Sequence, residues 1–271
     1  MDATPPISDA YLEDLAYVHD DSFGFIATGA AKTLAAKLTE RGLSSGLVIE
    51  LACGSGISSA LLMSAGYDVL GYDISAPMIE IARERAAAVP PPAPPYGVPA
   101  AAVHAPNAEF RVASLYDAEF APCIAVTGVG EAFNYLFDPR AGFESMCAVF
   151  SRAFDAIAPG GVLMFDIAEP GRAMPRLEHH VWQGDGWHVV SETIEFPHER
   201  ILERRIKTTR AGPDGERVTD ELHRLALYDH EEAYEALRSV GFAPLTLASY
   251  AEDFRFGTGH GAFMAVKPYA A

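Results

Sequence analysis

The residues best suited to chemistry lie in VIELACGSGISS, residues 47–58, where an apolar run ends in an acid and then turns through glycines. Gly54 and Gly56 suit a sharp strand-to-helix turn that lets a ligand approach the backbone. A dinucleotide site would place a third small residue where this chain has Ser59. Glu50, ahead of the glycines, would repel a pyrophosphate and attract an ammonium or sulfonium group. The turn is therefore predicted to hold a cationic ligand.

A second acid, Asp73, ends the strand-like run YDVLGYD 17 residues after Gly56. This spacing places its carboxylate at the tip of the neighbouring strand, where it can accept hydrogen bonds from both hydroxyls of a ribose. The two acids together favour an adenosine ligand that lacks phosphates and carries positive charge. S-adenosylmethionine is such a ligand.

These acids need a sheet to position them, and much of the chain alternates strand-like and helix-like segments. The strand-like runs include GLVIELA, YDVLGYD, AEFRVAS, PCIAVTG and GGVLMFDIAEP. Their alternation with helical segments favours a parallel sheet that has helices on both faces. Ser75 can cap the helix that follows Asp73, and Pro77 suits the first turn of that helix.

The predicted organisation is one core with additions. Residues 1–44 are expected to form an N-terminal helical cover, and residues 89–108 a proline-rich loop. Residues 45–180 and 229–271 form the predicted core. Between them, residues 181–228 hold three charged strand candidates and are expected to form an antiparallel appendage. This appendage serves as a substrate lid or as a dimer surface, and both roles stay open.

The segment 47–61, VIELACGSGISSALL, resembles the first motif of class I S-adenosylmethionine-dependent methyltransferases, an acid followed by x-G-x-G-x-G. Ala52 stands where that family mostly has glycine. GYDISAPMIEIAR resembles the second motif, ASLYD the third, and VTGVGEAFNYL the fourth. The closing segments resemble the last helix and last two strands of the family. The resemblance implies an α/β fold with a Rossmann-like seven-stranded methyltransferase sheet, its last strand antiparallel, and S-adenosylmethionine as the cofactor.

The resemblance also implies roles for residues around the cofactor. Asp73 is expected to bind the ribose, and Ile74 and Met78 to flank the adenine. Ser114 and Leu115 are expected to lie near the adenine edge. Plain core roles for Ile74, Met78 and Leu115 are equally open. The full set of expected cofactor-binding residues is Tyr17, Glu50, Ala52, Gly54, Gly56, Asp73, Ile74, Met78, Ser114, Leu115 and Thr127.

Methyl transfer from a sulfonium is an in-line displacement that depends mainly on alignment in a dry site. A hydroxyl nucleophile usually gains from a nearby base, whereas an amine need only be neutral. Tyr17 and His19 resemble a signature that small-molecule members carry before the first motif. Tyr17 is expected near the methionine part of the cofactor and His19 near the substrate, although a surface or capping role for His19 is equally open. The predicted catalytic residues are His19, Asn134 and Tyr135.

The formal net charge of −17 would repel nucleic-acid backbones and anionic lipid surfaces. No apolar run of about 18 residues occurs, and the N-terminus has no basic region followed by an apolar stretch. The spacing of the three cysteines matches neither a zinc site nor a disulfide framework. We therefore expect a cytoplasmic protein with a small-molecule substrate and no metal, nucleic-acid or membrane partner; a homodimer stays open.

The residues and the resemblance together predict methyl transfer to oxygen or nitrogen of a small-molecule acceptor. One alternative is an NAD-dependent oxidoreductase that uses the same turn, against which Glu50 and the missing third glycine count. The other is a non-catalytic module that binds S-adenosylmethionine without turnover.

Overall fold

The computed structural model describes residues 10–91, 104–173, 177–213, 215–252 and 254–269. Residues 92–103 of the predicted proline-rich loop lie outside these ranges. The helices are α1 (Glu13–Ser22), α2 (Phe25–Glu40), α3 (Ile57–Ser64), α4 (Ala76–Ala87), α5 (Phe143–Ala156) and α6 (His230–Val240). The strands are β1 (Leu47–Leu51), β2 (Asp68–Asp73), β3 (Ala108–Val112), β4 (Cys123–Gly128), β5 (Ile157–Ala168), β6 (Leu177–Gly184), β7 (Trp187–Phe196), β8 (Ile201–Gly212), β9 (Gly215–Ala226), β10 (Ala243–Thr246), β11 (Ser249–Tyr250), β12 (Phe254–Arg255) and β13 (His260–Val266).

The central sheet has seven strands in the order β10-β13-β5-β4-β1-β2-β3. β13 runs antiparallel to both of its neighbours, whereas the pairs formed by β1 to β5 are parallel. The strand order reverses between β1 and β4, and ligands of open α/β sheets bind beside such a reversal. The predicted seven-stranded sheet with an antiparallel last strand is therefore confirmed.

Two apolar clusters cover the two faces of this sheet. One face packs on α5 and α6 through aromatic side chains such as Phe150 and Phe165, and the other packs on α2 and α3 through Leu34 and Leu62. Strands buried on both faces explain why β1, β4 and β5 read as nearly continuous apolar runs. In the described part of the chain, no helix is both long enough and apolar enough to cross a membrane.

A second, four-stranded antiparallel sheet, which we call the appendage, runs in the order β6-β7-β8-β9. It begins at Leu177, which corrects the predicted start at residue 181 and the predicted count of three strands. β6 was missed because it is an edge strand with most residues exposed, so it has no alternation of apolar and polar positions. β9 joins the core through an isolated bridge between Leu225 and Tyr135.

One face of the appendage is polar and yet buried. Alternate positions of β7, β8 and β9 share this face, and Ser191, Thr193, Thr208, Glu221 and His223 are all at most 8% exposed there. This face is covered by α1 and the residues before it: the Leu12 amide donates to Glu221, and the first helix packs its apolar residues on β7. Buried polar side chains at such a seam need partners, from the protein or from a ligand.

Candidate active site

A cavity opens where β1, β2, β3 and β4 end, with α1 above it. Residues that follow each of these four strands line it, together with Tyr11, His19 and Phe23 from the N-terminal cover. The register explains this convergence, since Glu50 pairs with Thr127 on β4 and with Gly71 on β2. The carboxyl ends of the strands therefore meet at one edge and place their polar side chains around a single space.

The turn after β1 has three residues with left-handed backbone, Ala52 (φ 54°), Gly54 (φ 55°) and Gly56 (φ 73°). Ala52 and Gly54 line the cavity, and a Cβ atom added at Gly54 would meet nothing within 4 Å. The backbone at Gly54 is therefore open to a ligand. Gly56 is not among the lining residues, and its contact with the cofactor stays a prediction. Its place against α4 is so tight that a Cβ atom would lie 2.9 Å from the Cβ atom of Ala82.

Gly56→Ala is expected to lower the free energy of unfolding by about 1–3 kcal/mol, because the new side chain forces a left-handed residue against α4. Urea denaturation measures the loss as a lower midpoint at unchanged slope. Gly42→Ala is the matched control, since Gly42 has a similar φ of 76° but open space around its Cβ position. Equal losses in the two variants would mean that the close approach to Ala82 contributes nothing.

Glu50 is 2% exposed and lines the cavity. The hydroxyls of Ser58 and Ser59, in the first turn of α3, donate to its two carboxylate oxygens. Burial raises the pKa of Glu50, although the two serine hydroxyls counteract part of that rise. Ser59, which argued against a pyrophosphate site, thus has a structural role, because it holds the acid at the end of β1.

Asp73 ends β2 beside the glycine turn. Its Oδ2 accepts from the Gly54 amide at 2.8 Å and its Oδ1 from the Ser75 amide at 2.9 Å. Burial raises the pKa of Asp73, and the backbone amides oppose that rise. Ser75 caps α4 by accepting from the Met78 amide, as predicted. The carboxylate is therefore held in one orientation at the cavity wall.

The far end of the cavity is bounded by apolar and small polar side chains after β2 and β3. Ile74, Met78, Ser114 and Leu115 all line it, and their contact with an adenine stays a prediction. Thr127 lies at the cavity wall near Glu50, and its buried hydroxyl has no hydrogen-bond partner among the described residues. A buried polar atom without a partner is a place that a bound ligand would satisfy.

Open backbone at Gly54, two buried acids and the unpartnered Thr127 hydroxyl fit S-adenosylmethionine. Asp73 would hold the ribose, Glu50 would face the positively charged methionine part, and residues 74 and 78 would border the base. S-adenosylmethionine has no pyrophosphate, so the turn needs no basic group to neutralise one. The acidic and hydrogen-bonding groups of the cavity are those expected for a cationic nucleoside.

His19 of α1 lines the other side of the cavity. Burial lowers the pKa of His19 to about 4, with the nearby His223 adding to the shift and Asp20 opposing it. The imidazole is therefore neutral at physiological pH. Its Nδ1 atom is buried and has no hydrogen-bond partner in the described part of the chain. A free imidazole nitrogen in a cavity can accept a hydrogen bond from a ligand.

Tyr135 lines the cavity and belongs to a polar chain, and its contact with a substrate stays a prediction. Its hydroxyl lies 3.1 Å from that of Tyr11 and accepts from Arg204 at 3.3 Å. Arg204 and Arg172 each donate to the carboxylate of Glu131 at 2.6 Å. Burial alone would raise the pKa of Glu131, but the two guanidinium groups outweigh it and hold that pKa well below its ordinary value. Glu131 is therefore an ionised anchor that positions Arg204 behind Tyr135.

Two predicted site residues lie elsewhere. Tyr17 is 39% exposed and stacks under Arg210, whose guanidinium carbon lies 3.6 Å from the ring centroid, so it does not pack beside the cofactor. Asn134 is fully buried; its amide donates to the carbonyls of Ala168 and Ala226 and accepts from the Ala168 amide. This corrects both predictions, because Asn134 joins β5 to β9 and cannot orient a substrate.

Several lining residues were missed by the sequence analysis. Tyr11 lines the cavity although Tyr17 does not, and the signal for it in the sequence was an aromatic residue six positions earlier. Asp138 also lines the cavity, and hydrogen bonds from Arg140 lower the pKa of Asp138 to about 2. The other missed lining residues include Phe23, Ile26, Ser58 and Phe137.

Comparison with known proteins is consistent with this site. The family model described as a methyltransferase domain matches residues 48–161. A protein of Geobacillus sp. (strain WCH70), whose name assigns it to the methyltransferases, is 23% identical over 232 residues, which cover 81% of this chain and 83% of the relative. YqeM of Bacillus subtilis (strain 168), named in the same way, is 26% identical over 136 residues, or 50% and 46% of the two chains.

Solved structures share the fold over nearly the whole chain. The sugar N-methyltransferase KedS8 from Streptoalloteichus sp ATCC 53650 has a TM-score of 0.71 at 20% identity, covering 99% of this chain and 98% of KedS8. CalS10 from Micromonospora echinaspora, an amino pentose methyltransferase with bound S-adenosylmethionine, has a TM-score of 0.66 at 17% identity, covering 96% and 99%.

A methyltransferase domain, the seven-stranded sheet with its reversed last strand, and a cavity that fits a cationic nucleoside occur together in this chain. Residues 48–161 match a methyltransferase domain, the whole chain has the fold of class I S-adenosylmethionine-dependent methyltransferases, and S-adenosylmethionine is the cofactor that the cavity fits.

Proposed function

We propose that this enzyme methylates a neutral nitrogen or oxygen of a small polar molecule that binds between the cofactor and α1. The observation that supports this most is the buried Nδ1 of His19, which has no partner among the described residues and belongs to a cavity-lining imidazole that is neutral at physiological pH. A neutral imidazole nitrogen accepts or donates one hydrogen bond according to its tautomer, and an amine or a hydroxyl can supply either partner.

The cofactor supplies a methyl group on a sulfonium, which is already activated for transfer. The chain itself must bind and align the two reactants and exclude water. Asp73, with its orientation set by two backbone amides, binds the ribose. Glu50 faces the methionine ammonium, and Thr127 donates its free hydroxyl to the ligand. The apolar Phe23 and Ile26 close the cavity from the side of the helical cover.

We assign His19 and Tyr135, which both line the cavity, to its methyl-acceptor side. An amine that attacks a methyl group must carry a free lone pair, so it reacts as the neutral amine. His19 forms a hydrogen bond with a polar group beside the nucleophile and so helps to align the acceptor with the methyl group. Tyr135, held by Arg204, contributes a hydroxyl that orients a second polar group of the methyl acceptor.

Two structural neighbours are, by name, methyltransferases of sugars or amino pentoses. Their likeness to this chain concerns the fold, but it makes amino sugars the first class of methyl acceptor to test. Amino sugars also offer the amine and hydroxyl groups with which the free His19 nitrogen can form a hydrogen bond.

His19→Ala and Tyr135→Phe are both expected to lower turnover of a methyl acceptor about 10-fold or more, because each removes one positioning contact. Release of S-adenosylhomocysteine, followed over a panel of amino sugars and hydroxylated small molecules, measures turnover. Calorimetry is expected to show nearly unchanged affinity for S-adenosylmethionine. Tyr17→Phe is the control, since Tyr17 lies outside the cavity.

Normal turnover by both variants would disprove the placement of the methyl acceptor. Tight cofactor binding by the wild-type chain without turnover of any compound would instead favour a non-catalytic binding module.

A further inference from the structure

His223 on β9 is a buried histidine to which the proposed function assigns no role. It is wholly buried, and its Nε2 lies 2.9 Å from Oε2 of Glu221 two residues away. Because a carboxylate only accepts, Nε2 carries the proton, and the lone pair is on Nδ1. That Nδ1 atom is buried and has no hydrogen-bond partner among the residues that the structure describes. A carboxylate that fixes the tautomer and a free second nitrogen together form the arrangement of a general base.

Packing alone does not explain this pair. An apolar side chain would fill the same space without leaving a buried polar atom unsatisfied, and such atoms are rare in native structures. Glu221 is also nearly buried, and its second carboxylate oxygen accepts from the Leu12 amide at 3.1 Å. Both carboxylate oxygens of Glu221 therefore have hydrogen-bond partners. Nδ1 of His223 has none among the described residues.

His223 lies directly behind the cavity wall. Its ring centroid is 4.9 Å from that of Tyr11, 5.0 Å from that of Phe137 and 5.8 Å from that of Tyr135. All three aromatic residues line the cavity. These aromatic rings thus lie between His223 and the space where the methyl acceptor is proposed to bind.

Tyr11 is the residue of this wall that the N-terminal cover contributes. It precedes α1 in an irregular segment and has a left-handed backbone with φ of 47°. Three polar contacts hold this segment over the site. The Tyr11 hydroxyl bonds the Tyr135 hydroxyl, the Ser75 hydroxyl donates to the Tyr11 carbonyl at 2.8 Å, and the Leu12 amide donates to Glu221. A polar ligand can replace the hydroxyl contact, since it brings its own donors and acceptors.

We propose that His223, oriented by Glu221, takes the proton of the methyl acceptor, and that the acceptor reaches its Nδ1 by displacing the ring of Tyr11. This proposal rests on the proposed function. The lone pair of the acceptor forms the new bond to the methyl carbon, and the electrons of the broken carbon–sulfur bond stay on sulfur. The electrons of the N–H or O–H bond stay on the acceptor atom, and its proton moves to Nδ1. The imidazolium then lies beside the Glu221 carboxylate, and its proton passes to solvent when the site opens.

His19 does not compete for this proton. Burial keeps His19 neutral, and the neighbouring His223 adds to the lowering of the His19 pKa. Of the two, His223 is the one with a bonded carboxylate. The titratable and charged groups around His223 are Glu221 on its own strand, Arg204 at the paired position of β8, Tyr135 after β4, Tyr11, and His19 of α1.

Access to His223 can be tested without any methyl acceptor. Diethyl pyrocarbonate carbethoxylates exposed neutral histidines, and peptide mass spectrometry locates the products. His223 is expected to be unmodified in the wild-type protein and to react at least several-fold faster in Tyr11→Ala. Tyr17→Ala is the matched control, because Tyr17 lies on α1 outside the cavity.

His260, buried against Asp166, reports the integrity of the core. If His260 of Tyr11→Ala reacts as fast as His223, the substitution has loosened the core, and the less disruptive Tyr11→Leu is measured instead. If His260 stays protected in the variant and His223 is still as unreactive as in the wild type, the proposed access route is wrong.

Proton transfer is tested with the compound of the panel that turns over best. His223→Gln is expected to lower kcat about 100-fold or more with unchanged affinity for S-adenosylmethionine. Glu221→Gln is expected to move the acid limb of the kcat profile to lower pH, because the imidazolium loses its carboxylate partner. Normal kcat in His223→Gln, or an unmoved acid limb in Glu221→Gln, would refute the role as proton acceptor. Absence of wild-type turnover across the panel would count against the proposed function alone, since diethyl pyrocarbonate tests access independently.

Discussion

Asp73→Ala is expected to weaken binding of S-adenosylmethionine by about 10- to 150-fold, which corresponds to about 1.5–3 kcal/mol. The lost interactions are the charge-assisted hydrogen bonds that the carboxylate offers to the ribose. The structure adds a second contribution, because Oδ2 of Asp73 also accepts from the Gly54 amide and so helps to shape the glycine turn. Both losses act in the same direction.

Isothermal titration calorimetry of the folded variant measures this change. Asp68→Ala is the matched control: Asp68 begins the same strand, at the end away from the cavity, where it bonds His104 and the Asn107 amide. Asp73→Asn should lie between the two, since its amide keeps one accepting oxygen but no charge. Wild-type affinity in a folded Asp73→Ala protein would mean that this acid is not the ribose ligand.

Removal of the Glu131 carboxylate is expected to cost about 3 kcal/mol of unfolding free energy, at the lower end of the range for a broken buried ion pair. Glu131→Gln leaves two arginines without their common anion. The side chains of Arg204 and Arg172 are 18% and 30% exposed, so solvent screens part of the cost. The Gln side chain keeps the shape but not the charge, and Arg204 then loses the anchor that aims it at Tyr135.

The measurement is the urea midpoint at neutral pH, compared with that of the wild type. Glu109→Gln is the matched control, because Glu109 is bonded to Arg111 at a similar distance of 2.6 Å but has a side chain that is 61% exposed. An exposed pair should change stability by less than about 1 kcal/mol. If the two variants lost similar unfolding free energy, burial of the Glu131 ion pairs would add nothing to their contribution to stability.

The same cluster predicts a dependence of stability on pH. The folded-state pKa of Glu131 lies below its ordinary value of 4.5, so its contribution is fully present above that value and declines as pH falls through the folded pKa. The pKa of His19, about 4 in the fold, acts in the same direction, because the unfolded chain binds that proton first. Wild-type stability should therefore fall from about pH 6.5 downward, and Glu131→Gln should lose less of it below pH 4.5.

Local patterns in the sequence determined the fold and the cofactor side of the site. The alternation of strand and helix signals predicts the parallel sheet, because each signal is set by neighbouring residues. Glu50 and Asp73 are the near-last and last residues of such strands, so their meeting at one edge follows from parallel pairing. The Ser75 cap is local as well, since donor and acceptor lie three residues apart.

Only the tertiary structure decided the methyl-acceptor side. The Leu12 amide meets Glu221 across 209 positions, and Arg204 meets Glu131 across 73. No periodicity encodes such pairs, because they depend on how the N-terminal cover and the appendage dock on the core. For the same reason the sequence analysis placed Tyr17 beside the cavity, whereas Tyr11 lines it. It also predicted that Asn134 contacts a substrate, although Asn134 is buried where β9 meets the core. Burial then set the chemistry, since it removed solvent from His19 and His223 and left each with a free nitrogen.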